Sequence, residues 1–123
     1  MMNKNKSLIS TLRRFLFIQT VETPNPNFLK FVPTGKSIIK EGTHEFTSIK
    51  QSISSPLALK LFCVEGITRV FYAKDYISIG KRDDAQWDEL KPSLLELIQE
   101  HFTSDQPAFE SPNPNSVSLQ GRE

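Results

Sequence analysis

Residues Phe17 to Pro33 read FIQTVETPNPNFLKFVP, and this stretch decides the fold. Two apolar runs flank a stiff centre, Thr23-Pro24-Asn25-Pro26-Asn27. Each proline fixes its own φ and pushes the residue before it toward extended geometry. Each asparagine tolerates left-handed backbone and bonds its neighbours' main chain. Two X-Pro units in tandem therefore make a rigid corner that neither a helix nor a central strand can absorb. Phe17, Ile18 and Val21 on one side, and Phe28, Leu29, Phe31 and Val32 on the other, supply the apolar surface of a small sheet. The corner holds no nucleophile beyond a threonine hydroxyl, and its neighbouring acid is Glu22. It reads as a structural hairpin corner before it reads as a catalytic loop.

A length of 123 residues gives room for one domain of modest size. Hydrophobic residues at 37% can build a core, and a net charge of +1 gives no general attraction to nucleic acid. The charge is unevenly spread. Lys4, Lys6, Arg13 and Arg14 stand in the first 21 residues without an acid, so the rest is close to neutral. As a helix, residues 1–16 would carry Leu8, Leu12 and Leu16 on one side, beside Ile9 and Phe15. That basic, amphipathic profile is the one a mitochondrial transit peptide shows, and Arg13-Arg14 breaks the apolar run a secretory signal needs. An untargeted basic extension fits the same residues. No apolar run approaches the roughly 20 residues of a membrane-spanning helix.

After the hairpin, Pro33-Thr34-Gly35-Lys36 is a turn, and Ser37 to Phe46 reads as weak strand or irregular chain with Ile38, Ile39 and Phe46 reaching the core. His44 reads as a solvated surface residue. Ser54 or Ser55 can cap a helix over Pro56–Glu65 that stops at Gly66. Ile67–Tyr72 and Tyr76–Gly80 read as a second hairpin, with Val70, Tyr72, Ile77 and Ile79 alternating. Leu90, Leu94, Leu97, Ile98 and Phe102 recur at helical spacing. Pro92 is costly inside a helix, so the spacing favours a turn at Trp87-Asp88-Glu89 and a helix entering near Pro92. His101, near that helix's C-terminus, reads as structural. Residues 103–123 hold three prolines and little to bury, the composition of a disordered tail. The expectation is an α+β fold, a small antiparallel sheet of two hairpins packed against two helices in a single domain.

Three spaced pieces, Phe17–Thr20, Thr23–Asn27 and Leu29–Pro33, resemble the opening of the N-terminal domain of Nfu (NifU-like) iron–sulfur cluster scaffold proteins. The resemblance continues through Ser55–Ala58, Leu61-Phe62, Val64-Glu65-Gly66, Val70-Phe71, Asp75–Ile79 and Trp87-x-x-Leu90-Lys91-Pro92. It covers residues 17–102. It singles out Thr23, Pro24, Asn25, Pro26, Asn27, Lys30, Gly66, Trp87 and Pro92 as family positions, read as structural. It implies a role in delivering 4Fe–4S clusters to client apoproteins, by contact with clients or assembly chaperones. It also implies a mitochondrial location; a bacterial cytoplasmic protein with a longer start is the other reading. In that family a separate C-terminal domain with a Cys-x-x-Cys motif holds the cluster, and this sequence carries no such motif.

Iron–sulfur clusters are held chiefly by several cysteine thiolates. Cys63 is the one cysteine, so it is the sole, weak candidate ligand and no disulfide can form within the chain. On its helix it reads as a small buried hydrophobe. A reactive thiol would need a cation or a helix N-terminus close by. There is no phosphate loop, no HExxH and no nucleophile elbow. Asp83-Asp84 and Asp88-Glu89 stand beside Lys81, Arg82 and Lys91 on what reads as a solvated turn. The reading is therefore a non-enzymatic accessory domain with no catalytic residues, cofactor or metal ligands of its own. Two others stand beside it: a truncated family product that has lost delivery or competes for partners, and a cysteine-dependent enzyme.

Overall fold

The first hairpin forms around the proline–asparagine corner. Strands β1 (Ile18–Glu22) and β2 (Phe28–Pro33) pair antiparallel, with Glu22 opposite Leu29 and Ile18 opposite Pro33. The computed structural model describes residues 16–104, so all but the last residue of the expected extension (1–16) and most of the expected tail (103–123) lie outside the described residues.

The second hairpin, β4 (Ile67–Tyr72) and β5 (Ile77–Lys81), docks against the first through β5. A further strand, β3 (His44–Phe46), pairs with β4. The result is a five-stranded antiparallel sheet in the order β1-β2-β5-β4-β3. β3 forms because Phe46, fully buried, sits opposite Val70 and places its ring 5.1 Å from that of Tyr72. His44 is half-buried rather than solvated, its ring 4.6 Å from that of Phe46.

Strand alternation sorts the sheet's two faces. Leu29, Phe31, Val70, Tyr72, Ile77 and Ile79 all point into the core with Leu57, Leu61, Leu94 and Ile98 from the helices. Their neighbours Lys30, Val32, Phe71 and Ser78 lie on the opposite face and are only half-buried. On that face Gly80 is opposite Phe28, and the close approach requires glycine. A Cβ there would stand 2.8 Å from Phe28 Cε2 and 2.9 Å from Cζ.

Helix α1 (Pro56–Phe62) begins as the sequence indicates. Ser55 Oγ accepts from Ala58 N–H at 3.2 Å, and Pro56 occupies the first position, where its missing N–H costs nothing. Ser55 Oγ also hydrogen-bonds Tyr72 Oη, tying the cap to β4. The helix is three residues shorter than expected. Cys63 and Val64 donate to the carbonyls of Lys60 and Leu61, a tightened last turn, and Gly66 at φ 100° redirects the chain into β4.

Helix α2 (Trp87–Thr103) departs further from expectation: it starts at Trp87 and contains Pro92. The first four N–H groups of any helix lack intrahelical partners. Pro92 is the sixth residue, so its ring removes only the bond that would reach Asp88. Asp88 and Glu89 complement the helix dipole in the first turn, and a tertiary bond from Trp87 anchors it. His101 is 2% exposed and packs edge-on to Phe102.

Candidate functional site

The corner closes on itself through side-chain to main-chain bonds. Thr23 Oγ1 accepts from Asn25 N–H at 3.2 Å and lies 2.8 Å from the Asn25 carbonyl oxygen and 3.0 Å from that of Phe28. Asn25 Oδ1 accepts from Asn27 N–H at 3.0 Å, and the Asn25 carbonyl accepts from Phe28 N–H at 2.9 Å. The side chains of an alcohol and an amide thus do the turn-making that the two prolines, lacking N–H groups, cannot.

The corner is then clamped from outside by the run from Lys81, the last residue of β5, to Trp87, the first of α2. Lys81 N–H donates to the Asn27 carbonyl at 2.9 Å. Lys81 Nζ donates to Asn27 Oδ1 at 2.9 Å, while Asn27 Nδ2 donates to Asp83 Oδ1. One neutral amide therefore bridges a cation and a carboxylate, a role that needs a donor and an acceptor on one group. Trp87 Nε1 donates to the Pro26 carbonyl at 2.9 Å, and Lys81 Nζ stands 5.8 Å from the Trp87 ring centre. Arg82 N–H reaches the Gly66 carbonyl at 2.8 Å; a Cβ on Gly66 would meet Ala85 Cβ at 3.2 Å.

Of the nine motif positions, Thr23, Pro24, Asn25, Pro26, Asn27 and Trp87 gather at this corner, with Gly66 one residue contact beyond. Lys30 is elsewhere, on the half-buried sheet face with its ammonium 4.5 Å from the Tyr76 ring centre. Pro92 is on the exposed side of α2. Lys81 and Asp83 were missed by sequence reasoning, which placed them in a solvated turn. The available signal was Asn27 itself, an amide at a corner too tight to satisfy it locally. Pro24, Asn25 and Pro26 remain exposed, so the corner is rigid, polar and accessible at once.

Cys63 is exposed, which corrects the expectation of burial. It caps α1 on the solvent side, while Leu57, Ala58, Leu61 and Phe62 take the inward positions. Among the described residues no group of three histidines, cysteines or acids is placed to hold a metal ion. A single thiolate does not fit an iron–sulfur cluster, which requires several. Among the described residues, none of the helices is long and apolar enough to cross a membrane.

A five-stranded antiparallel sheet backed by two helices, with a locked polar corner at one hairpin, defines a small α+β domain. Residues 18–105 match the family described as the scaffold protein Nfu/NifU N terminal, and the chain belongs to that family. Among its relatives, NifU-like protein 5, mitochondrial, of Arabidopsis thaliana is 42% identical over 97 residues, covering 79% of this chain and 35% of the relative. The NFU1 iron-sulfur cluster scaffold homolog, mitochondrial, of Drosophila persimilis is 39% identical over 113 residues, covering 92% and 40%. The chain thus spans 35 to 40% of the length of these relatives. The crystal structure of protein SAV1430 from Staphylococcus aureus superposes with a TM-score of 0.59 at 27% identity, covering 66% of this chain and 96% of that one. A NifU-like protein of Saccharomyces cerevisiae shares the fold, with a TM-score of 0.68 at 24% identity over 81% and 88%.

Proposed function

We propose that this chain is a non-enzymatic recognition domain in iron–sulfur cluster delivery. It contacts client apoproteins or assembly chaperones of the 4Fe–4S pathway, and the cluster itself is held elsewhere. The observation that carries the reading is the corner. Six family positions converge on a surface that is exposed and already fixed by hydrogen bonds, and a preorganised surface loses little conformational entropy on binding. The donor set agrees with it, because one exposed thiol is too few for a cluster. The relatives' mitochondrial names and the basic, amphipathic residues 1–16 support import into mitochondria.

Anaerobic iron–sulfide reconstitution of the full chain, followed by its visible spectrum and an iron count, tests the first half. The expected result is no stoichiometric cluster; a stable cluster lost on Cys63→Ser refutes it. Titration of the labelled chain with a purified 4Fe–4S client apoprotein tests the second half. Amide shifts confined to Asn25, Asn27 and the Lys81–Trp87 segment are expected, and shifts absent from both refute the corner's role.

A further inference from the structure

The outer edge of β1 carries a row of main-chain groups that β2 does not use. Thr34 N–H donates to the Phe17 carbonyl at 2.9 Å, which makes Phe17 and Thr34 a bonded pair at the head of the ladder. Bonded and non-bonded pairs alternate along an antiparallel ladder, and the register runs unbroken from Ile18 opposite Pro33 to Glu22 opposite Leu29. Gln19 and Val21 therefore turn their N–H and C=O groups toward β2, while Ile18, Thr20 and Glu22 turn theirs outward. Pro33 agrees, since its missing N–H falls at a non-bonded position. β1 ends the sheet on its side, and no other described residue bonds the outward row.

Edge strands are ordinarily guarded by lysine, proline, a bulge or shortness. The opposite edge, β3, is three residues long. β1 has five residues, IQTVE, with neither lysine nor proline and no break in register. Its one charge is Glu22, at the corner end. Beside the edge, Phe17 is 64% exposed and Val21 37%, two of the four large apolar side chains exposed among the described residues. Both alternate onto the sheet face away from the helices, with Gln19 between them. The edge thus offers main-chain partners and an apolar flank together.

The row is complementary to itself. Set antiparallel about a two-fold axis through Thr20, two β1 strands place Thr20 opposite the partner's Thr20 and Ile18 opposite the partner's Glu22. The outward positions then coincide as bonded pairs, and the two strands exchange about six main-chain hydrogen bonds. Gln19 faces the partner's Val21 at the close, non-bonded spacing, and Phe17 lies diagonal to the partner's Val21. The two Glu22 residues stay about 14 Å apart along the strands, so the edge's one charge meets no like charge. We propose that two copies of this chain pair in solution through β1 in this register, joining their sheets into one with both helical layers on the same face. The occupant is a second copy. Self-complementarity of register, of charge and of exposed apolar surface carries the assignment. The pairing needs neither Cys63 nor a cluster and is independent of the role in cluster delivery. One strand and two apolar side chains fall short of the roughly 1,000 Å² of a stable interface, so the pair is weak and exchanging.

Sedimentation of the full chain between about 10 μM and about 1 mM should show a monomer–dimer equilibrium. Thr20→Pro removes an outward N–H and puts its ring where the partner's carbonyl would come, yet leaves every bond to β2 in place. Gln19→Lys sets two lysines about 8 Å apart across the seam. Each should raise the dissociation constant at least about tenfold, while Gln19→Lys unfolds thermally like the parent. Should Thr20→Pro fail to fold, Gln19→Lys decides alone. Amide hydrogen exchange locates the seam. Gln19 and Val21 should be protected at every concentration; Ile18, Thr20 and Glu22 should gain protection only as the dimer forms, and lose it in both variants. A chain that stays monomeric up to about 1 mM overturns the proposal. So does a dimer that the variants leave intact. Protection of Ile18, Thr20 and Glu22 that is independent of concentration also overturns it, and puts a segment of the same chain on the edge. Protection gained only on adding a purified 4Fe–4S client apoprotein overturns it too, and makes an extended client segment the occupant.

Discussion

Replacing Gly80 by alanine tests the packing that locks β2 to β5. The added Cβ would stand 2.8 Å and 2.9 Å from two atoms of the Phe28 ring and 3.2 Å from Arg69 Cβ. Carbon atoms prefer about 3.5–4.0 Å, so the ring must retreat by roughly 0.7–1 Å or the strands must part. Overpacking of this kind costs about 1–3 kcal/mol. Phe28 is half-buried and has solvent on one side, which places Gly80→Ala in the lower part of that range, at about 1–2 kcal/mol. For a domain of this size each kcal/mol lowers Tm by about 4–8 °C. Urea and thermal unfolding of four forms, the parent, Gly80→Ala, Phe28→Ala and the double variant, would give the coupling directly. Phe28→Ala removes the obstacle, so Gly80→Ala should cost at least about 0.5 kcal/mol less in that background. A neutral or stabilising Gly80→Ala, or strict additivity in the cycle, would show that the ring does not rest on Gly80 and that the β2–β5 junction is built otherwise.

Trp87→Phe keeps an aromatic at the start of α2 but removes the donor to Pro26, and should cost about 0.5–1.5 kcal/mol in chemical denaturation. Asn27→Asp retains an acceptor for Lys81 but turns an oxygen toward Asp83, and should destabilise by about 1 kcal/mol, less at high salt. Ser55→Ala deletes a helix cap and the Tyr72 partner in a buried setting, and should cost about 1–2 kcal/mol in urea unfolding. Burial pushes the Tyr72 phenol above its ordinary value, and its bonds to Ser55 and the Ala58 main chain only partly oppose this. The folded state therefore holds that proton more tightly than the unfolded state. Its contribution is complete below pH about 10, the unfolded value, and declines as pH rises further. Stability measured from pH 8 upward should fall less steeply in Tyr72→Phe than in the parent.

Local signals that needed no distant partner were legible in the sequence. Tandem prolines made the corner, alternation in Val70–Tyr72 and Ile77–Ile79 made the second hairpin, and Ser55-Pro56 began α1. Signals whose outcome depends on tertiary contacts were not. Phe46 nucleates a strand of only three residues because Val70 and Tyr72 are there to receive it. Pro92 stays inside a helix because Trp87, one and a half turns earlier, is fastened to Pro26. Cys63 is the exception, a legible signal that was overlooked: at about 100° per residue it stands opposite the inward row of Leu57, Ala58, Leu61 and Phe62, and the general tendency of lone cysteines toward burial does not override that. Lys81 and Asp83 join the site because β5 lies antiparallel to β2 with Gly80 opposite Phe28, a register that no local pattern announces.

The recognition role proposed for the corner draws on the same register. Its polar atoms are engaged with one another. Thr23 and Asn25 brace the turn, Asn27 is divided between Lys81 and Asp83, and the Pro26 carbonyl takes the Trp87 proton. A general acid or base must change protonation during turnover, and the bridging amide of Asn27 cannot do so in the ordinary pH range. What the corner can offer is a fixed shape: two exposed prolines and an exposed amide held in register across two hairpins. Loss of any clamp should therefore loosen the presented surface before it unfolds the domain, so that partner affinity falls further than stability does.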